Sequence, residues 1–547
     1  MERFLIKTMG CKSNQLEGVL IEENLIKNGF EKAEKIAAAD FFILNSCTVT
    51  HKSDNEAFQI LSRAKKQNPQ ITTVLTGCIA QVEKENLLKN PSIDIVLGND
   101  EKLNAAKFLN LYSVKEYKET GNREQETEER GIDVLKDRGI ASLKSHTSIH
   151  PAFHNSKDHS PKKTNGYFVG EIETLDSFHQ VLLQDTKKTR ASLKIQDGCD
   201  HRCSYCIIPF ARGKNRSADL DFILEQIKIY KNAGFKEIML TGIHIGQWGC
   251  GSHSAEETVK YRFREVEAGV GLRKQDEQGE LNDGDVRVCL ANSTGAIEQK
   301  EQKNLLNLLQ EIEHHTTIER FRLGSLNPLE INNEMLEFLK TSEKFCPHFH
   351  LSLQSMCNKT LKSMNRHYSV EQALDLIEKI SEIFPLGFIG SDIIAGFVGE
   401  SEEDFQTTIE NLKKSKLTQI HTFPYSVRKG TAAEKFGGHL PQKIKDERAK
   451  VIKEISAQKF AEFLRANLNS VQEVLIEKNL DRKTGMFKGL SRNYINVSIK
   501  SENSWRTSMP DQLPEGDFNS IRNTIQKVKI ESISPDLSGP VVSGSIV

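Results

Sequence analysis

The sequence predicts a multidomain α/β protein with an N-terminal parallel α/β unit, a central partial or complete parallel (β/α) barrel and a small antiparallel β barrel at the C-terminus. Three observations carry this. Strand-like and helix-like segments alternate over residues 1–113, about six further β/α units follow between 187 and 440, and the tail from 471 reads as short strands and turns. At 547 residues the chain is also longer than one hydrophobic core sustains.

In the first unit RFLIKTM, ADFFILNSC, ITTVLTGC and IDIVLGN read as strands, with helices near Gln15 to Asn28 and Asn55 to Lys66. Cys11, Cys47 and Cys78 lie at three of the strand ends. The carboxyl ends of strands form the ligand-binding edge of an open parallel sheet, so these thiols are expected to converge there. Residues 114–186 turn charged and polar (EYKETGNREQETEER, HNSKDHSPKKTNG) and read as an insertion or linker; 250–303 has the same character. His146, His150, His154 and His159 belong to the first stretch and are read as part of it, not as a metal site.

Within 187–440, ASLKIQ, EIMLTGI, FRLGSL, FHLSLQS, FIGSDIIAGF and QIHTFPYS alternate with amphipathic helices such as EQALDLIEKISEIF. A parallel barrel places its chemistry at the carboxyl ends of such strands. Residues 441–470 read as a helical connector, and VQEVLIEK, NYINVSIK and NTIQKVKIESI in 471–547 as β strands.

The formal net charge is -1, so no overall field announces a nucleic-acid or membrane partner, and any such partner must bind a local patch. No apolar run reaches the length of a membrane span and MERFLIKTMGCKSNQ is too short in apolar residues for a secretory leader, so a cytoplasmic protein without a membrane partner is expected. Ten cysteines are too few for a disulfide scaffold at this length; clustered thiols then point to metal binding or chemistry.

The densest cluster is DGCDHRCSYCIIPFARG, where Cys199, Cys203 and Cys206 are spaced C-x3-C-x2-C just after the first barrel strand. Three thiolates without a fourth ligand make an open coordination site, and thiolates favour iron-sulfur clusters. The competing reading is a zinc turn completed by a distant residue such as His201 or His244. Cys250, Cys289, Cys346 and Cys357 fit neither trio and are read as non-ligands.

The C-x3-C-x2-C pattern with Tyr205 before its last cysteine resembles the radical S-adenosylmethionine enzymes. TMGCKSNQLE, NSCTVT, TGCIAQ, QDGCDHRCSYCIIPFARGKNRS, EIMLTGIHIG, LKSMNRHYS and HTFPYSVRKGTAA sharpen the resemblance to the methylthiotransferases among them. The resemblance implies a central radical SAM partial barrel, a TRAM-like C-terminal barrel and two [4Fe-4S] clusters with S-adenosyl-L-methionine as cofactors. Cys199, Cys203 and Cys206 would hold the radical cluster, and Cys11, Cys47 and Cys78 the auxiliary one. Tyr205, Gly242, Ser325, Gln354 and Asp392 are expected to line the cofactor pocket. GCKxNQxE, CTVT and YCIIPFARG look most like the branch acting on N6-threonylcarbamoyladenosine at position 37 of tRNA; the other branches act on isopentenyladenosine in tRNA or on a ribosomal protein aspartate. The implied partners are such a tRNA, an electron donor such as flavodoxin or ferredoxin, and a sulfur source. A protein that keeps the clusters without turnover is the alternative of a different class.

Eight Lys or Arg fall within 186–218, and of these Arg202, Arg212, Lys214 and Arg216 are expected to contact tRNA phosphates. The tail from 471 holds ten basic and nine acidic residues, so charge gives it no RNA role; Tyr494 is its expected exposed aromatic. Met356-Cys357, Val398 and Ala218 depart from the family pattern; the last is expected to remove an RNA contact.

Overall fold

The computed structural model describes residues 1–83, 87, 89–120, 166–175, 177–180, 188–250, 304–481, 485–499, 521–534 and 541–547. The four histidines of 146–159, Lys187 and Cys289 lie outside them.

The N-terminal sheet has six parallel strands: β1 (Arg3–Thr8), β2 (Glu31–Lys32), β3 (Phe41–Ser46), β4 (Thr72–Gly77), β5 (Ile95–Leu97) and β6 (Gly166–Phe168), in the order β2-β1-β3-β4-β5-β6. FFILNS and TTVLTG are buried throughout, as the central strands of a sheet covered on both faces must be. Phe42, Leu44 and Leu75 pack against Ala57 and Leu61 of helix His51–Gln67. Phe41, Ile43 and Val74 face the other way, onto Ile21 and Leu25 of helix Lys12–Lys27 and Leu109 of helix Ala105–Thr120.

The expected linker over 114–186 changes at both ends. The last helix runs on to Thr120, and Gly166–Phe168 pairs with β5 through Val96↔Tyr167. A three-residue strand inside polar text is too short to show a period of two, so no sequence pattern marks it.

The central unit contains β7 (Ala191–Lys194), β8 (Gln196–Asp197), β9 (Arg216–Ser217), β10 (Glu237–Thr241), β11 (Arg320–Leu323), β12 (His348–Gln354), β13 (Phe388–Ala395) and β14 (Gln419–Pro424). β7, β10 and β11 form one parallel sheet and β12, β13 and β14 another, linked by bridges at Phe321↔Phe345 and Leu326↔Leu351. Among the described residues β7 and β14 do not pair, so the barrel is partial, with a gap between its first and last strands.

Leu193, Ile238, Leu240, Phe321, Leu351, Leu353, Ile389 and Ile393 share a core with the surrounding helices, including Leu309 of Leu305–His315 and Ile377 of Val370–Ile383. Strand side chains alternate, so Glu237, Arg320, Arg322, His350, Gln354, Asp392 and His421 face the concave side.

The tail closes into a five-stranded barrel of β15 (Val471–Ile476), β16 (Phe487–Ser491), β17 (Asn496–Ile499), β18 (Ile525–Ser534) and β19 (Val541–Ile546). Its pairs are antiparallel except β17 with β19. This barrel sits under the amino ends of the central strands. Arg322 donates to the carbonyls of Ser491 (2.6 Å) and Arg492 (2.7 Å), and Arg320 to those of Glu473 (3.2 Å) and Leu490 (3.3 Å).

Tyr494 is therefore not a free surface aromatic. Its ring packs on His348 (4.1 Å between centroids) and Phe388 (5.3 Å) at this junction. No helix among the described residues is long and apolar enough to cross a membrane.

Candidate active site between the N-terminal sheet and the partial barrel

β1, β3 and β4 end side by side, with Thr8 opposite Asn45 and Ser46 opposite Gly77. Cys11 precedes the helix that leaves β1, Cys47 follows β3, and Cys78 opens the helix Cys78–Val82 after β4. Gly10 (φ 89°) lets the first loop close on Cys47; a Cβ there would lie 2.5 Å from Cys47 Cβ. Burial first, and then Cys78 and Cys11, push the Cys47 thiol up to about 11. The three thiols thus share one electrostatic neighbourhood, and a metal taking them as thiolates must release protons.

The second trio sits on the excursion between β8 and β9, which pair antiparallel. Gly198 (φ 71°) makes the turn possible, because a Cβ there would meet Lys214 O at 1.7 Å. The loop is pinned from several sides: Ser204 N donates to Met364 O (3.0 Å), Ser204 Oγ to Ser363 O (2.7 Å), and Ala433 N to Ser204 O (2.7 Å). Burial, with Cys203 and Cys199 nearby, raises the Cys206 thiol far above its ordinary value.

Two cationic side chains address these sulfurs. Arg366 donates to Cys203 Sγ (3.5 Å) and to Ser352 O (2.6 Å), with its guanidinium 5.2 Å from the Tyr368 ring centroid. His244 Nδ1 lies 3.5 Å from Cys199 Sγ while its Nε2 pairs with Glu330. Burial opposes the imidazolium, yet Glu330 and Cys199 hold His244 up at about 10. His201 lies edge-on to His244 (4.5 Å between centroids) and is lowered to about 3, by burial first and then by His244 and Arg366. The donor atoms of His201, His244 and Glu330 lie within 4.8 Å of one another.

The expected cofactor residues take different places. Tyr205 is half-buried against Phe397 (6.2 Å between centroids), and burial raises its hydroxyl well above the usual range. Gln354 (φ 66°) sits at the irregularity between β12 and β13, and Asp392 lies 3.1 Å from His350 Nε2. The His350 and His421 rings stack 5.3 Å apart, 6° from parallel. Ser325 is exposed just beyond β11. Gly242 has a packing reason of its own, since a Cβ would lie 2.8 Å from Gln196 O, and Gln196 Oε1 already accepts from Ile243 N (3.0 Å) and His244 N (2.7 Å).

The basic rim is smaller than the sequence suggests. Arg212 and Arg216 are buried, so they cannot meet RNA phosphates as expected. Glu17 accepts from Arg212 Nη1 (2.6 Å) and Nη2 (3.0 Å), from Lys102 (2.6 Å) and from Lys194 (2.6 Å), and Asp197 accepts from Arg212 (3.1 Å), Lys194 (2.8 Å) and Arg216 (3.4 Å). Arg202, Lys214 and Lys188 remain exposed. Ala218 is also buried, its carbonyl accepting from Trp248 Nε1 (2.9 Å), so position 218 is not an RNA contact. Met356, Cys357 and Val398 are buried too, with Cys357 Sγ donating to Asp404 Oδ1 (3.7 Å).

The Glu17–Arg212 pair spans 195 residues of sequence and joins the N-terminal unit to the loop of the second trio. A second buried pair, Asp54 with Arg428 (2.6 Å), fastens the segment after Cys47 to the chain beyond β14. Leu16 joins the barrel core beside β7. The N-terminal unit therefore reaches both the first barrel strand and the chain beyond the last one, on either side of the gap. Motif reading missed this clamp, although Glu17 and Arg212 both lie in quoted motifs, because spacing says nothing of which distant charges meet.

Lys12, the residue after Cys11, stands in the same region. Its side chain is open to solvent, but the surrounding protein, then Arg190 and Arg322, lower its pKa to about 8.

A trio of cysteines beyond the first strand of a parallel partial barrel defines the class, and residues 193–412 match the radical SAM superfamily: this is a radical S-adenosylmethionine enzyme. Residues 3–98 match the family described as uncharacterized protein family UPF0004. The threonylcarbamoyladenosine tRNA methylthiotransferase MtaB of Aquifex aeolicus is 32% identical, covering 90% of this chain and 95% of its own. Its Bacillus subtilis counterpart is 30% identical over 90% and 89% of the two chains. A tRNA-2-methylthio-N(6)-dimethylallyladenosine synthase of Clostridium botulinum is 26% identical over 92% and 95%. The chain belongs to the methylthiotransferase family of radical SAM enzymes.

Proposed function

We propose that this enzyme adds a methylthio group to C2 of N6-threonylcarbamoyladenosine at position 37 of tRNA. The observation that supports the methylthiotransferase chemistry is that the helix after Cys11 is tied to the loop of the second trio by the buried Glu17–Arg212 pair. The donor sets suit the clusters: each is three thiols with a cation near, Arg212 for the first trio and Arg366 for the second. Four relatives named for threonylcarbamoyladenosine are 27–32% identical, which supports that substrate over the dimethylallyl one.

Cys199, Cys203 and Cys206 would hold one [4Fe-4S] cluster and Cys11, Cys47 and Cys78 a second; with S-adenosyl-L-methionine these supply the radical chemistry at the adenine C-H bond and the sulfur. The protein's own part is positional and electrostatic. Arg366 and His244 place positive N–H groups on Cys203 and Cys199, which offsets thiolate charge and fixes the sulfurs. The Glu17–Arg212 and Asp54–Arg428 pairs hold the two trio-bearing loops in one geometry, as a reaction between separately bound groups demands. Gln354 and Asp392, on the concave side, would line the place of the cofactor, with Tyr205 on the second trio's loop against Phe397. Exposed Arg202, Lys214 and Lys188 supply phosphate contacts, and a flavodoxin or ferredoxin and a sulfur source complete the cycle.

The test is anaerobic reconstitution with iron and sulfide analysis of the parent and of a triple alanine variant at Cys199, Cys203 and Cys206. Two clusters give about eight irons per chain falling to about four. Near four falling to near zero refutes the role of the N-terminal trio. Mass spectrometry of nucleosides from tRNA incubated with the reconstituted enzyme decides the substrate.

A further inference from the structure

Among the described side chains, the exposed rings of phenylalanine, tyrosine and tryptophan are those of Phe210, Phe423 and Phe436; the others are buried or half-buried. Phe423 follows His421 by two positions on β14 and so shares its concave side, within the site already described. Phe210 and Phe436 stand on segments fastened to the cysteine loops. Phe210 lies in the five-residue helix Ile208–Arg212, which begins just beyond Cys206. Arg212 of that helix donates to Asn14 Oδ1 (2.8 Å). Asn14 Nδ2 donates in turn to Met9 O (2.9 Å) and Ser46 O (2.6 Å), just ahead of Cys11 and Cys47. Asn99 Nδ2 donates to Ala211 O (2.6 Å), and the helix packs on Cys78–Val82. It thus reaches from the second trio to the loops of the first, with Phe210 46% exposed.

Phe436 flanks the second trio's loop from a distant part of the chain. Its N–H donates to Ala433 O (3.3 Å), and Ala433 N donates to Ser204 O (2.7 Å), between Cys203 and Cys206. The same segment also meets the chain after Cys47, since Ser426 Oγ accepts from His51 N (3.2 Å) and Arg428 pairs with Asp54. The free charge on these segments is positive. Arg202, Lys52, Lys214, Lys429 and Lys435 are exposed, and none forms an ion pair among the described residues. The carboxylates there are engaged: Asp200 accepts from Asn215 N (3.0 Å), Glu434 from Gly430 N (2.7 Å), and Asp54 is held by Arg428.

One exposed phenylalanine is ordinary on a protein surface. Rings set apart from one another and interleaved with unpaired cations suit single-stranded RNA, whose unstacked bases offer flat faces and whose phosphates offer charge. A contiguous apolar patch would instead point to a protein partner. We propose that Phe210 and Phe436 stack on unpaired bases flanking the target adenosine, while the exposed cations hold the neighbouring phosphates, so that the enzyme takes its substrate from a single-stranded loop. This rests on the tRNA reading above and deepens it by naming how the loop is held.

The experiment measures binding of the reconstituted enzyme to an anticodon stem-loop RNA and to a blunt RNA duplex of the same length, over a series of salt concentrations. Phe210→Ala and Phe436→Ala are each expected to weaken stem-loop binding by about five- to a hundredfold, with the salt dependence unchanged and duplex binding untouched. Phe210→Leu, which keeps the apolar bulk without the ring, is expected to bind as weakly as Phe210→Ala, and Phe210→Trp as tightly as the parent. Lys214→Met is expected to lower the slope of log affinity against log salt by about one. Stem-loop binding within about twofold of the parent in both alanine variants overturns the proposal, as does equal weakening toward the duplex. Unchanged RNA binding with slower reduction by flavodoxin assigns the face to the electron donor and overturns it too. Iron and sulfide content report whether the cysteine loops survive; should Phe210→Ala lose iron, Phe210→Leu and Phe436→Ala decide. A parent that binds neither RNA refutes the tRNA reading itself, a result separable from variants that bind like the parent.

Discussion

Glu17→Gln removes the one negative charge that holds Arg212, Lys102 and Lys194 together between the N-terminal unit and the barrel. Glu17 is 2% exposed and its two oxygens accept four hydrogen bonds from these cations. A glutamine keeps the shape and one acceptor, but leaves Arg212 and Lys194 with Asp197 as their carboxylate and Lys102 with the side-chain oxygen of Asn99 alone. Breaking a buried ion pair by removing one partner costs about 3–5 kcal/mol. The cost falls on the docking of helix Lys12–Lys27, so amide exchange in that helix is expected to speed up by more than about a hundredfold. The Glu17→Gln/Arg212→Met double variant should lose less than the sum of the single changes, with a coupling of about 1–3 kcal/mol, because it also removes one stranded cation. Exchange within about threefold of the parent would refute the clamp, since no ion pair worth several kcal/mol can be lost so quietly.

The same group sets an acid limit. Its folded pKa is held well below the ordinary carboxylate value because Arg212, Lys102 and Lys194 outweigh burial. Its contribution is therefore full above the unfolded value of about 4.5 and lost as pH falls toward the folded one, so acid should loosen the parent's helix but not further loosen Glu17→Gln, as read by exchange at pH 6 and pH 4. Gly198→Ala puts a Cβ 1.7 Å from Lys214 O at a positive φ, so the second trio's loop must move, and reconstituted iron should fall by about half while far-UV dichroism stays unchanged. Glu237→Gln strands Arg320 and Arg322 at the junction with the C-terminal barrel; a loss of about 3–5 kcal/mol there should make the chain near Asn467 to Ser470 cleavable by limited proteolysis, and resistance equal to the parent's would count against the junction.

The strands that sequence reading finds are those rich in apolar residues, such as FFILNS, EIMLT and FIGSDIIA, because burial of a strand favours such residues over most of its length. β2, β6, β16 and β19 escape it: two or three residues show no period, and FKGLS and VVSGSI carry glycine and serine that a small barrel tolerates. The cysteine trios are legible because spacing and strand ends place them. The basic residues mislead, since Arg212 and Arg216 look identical in sequence to solvent-facing cations and differ only in meeting Glu17 and Asp197 across the fold. Tyr494 and Ala218 fail for the same reason, their neighbours being distant in sequence.

Strand β6 reaches the N-terminal sheet from beyond residues 121–165 and the chain then leads on to β7. The sheet's last edge thus belongs, in chain order, with the barrel. A fragment ending at Thr120 would bare the buried residues of β5 as an unpaired apolar edge, the kind of surface that recruits foreign strands. The two units are consequently interleaved rather than strung end to end, so neither can be exchanged between relatives by a single cut, and recombination that respects the fold must carry both sides of the 121–165 excursion together.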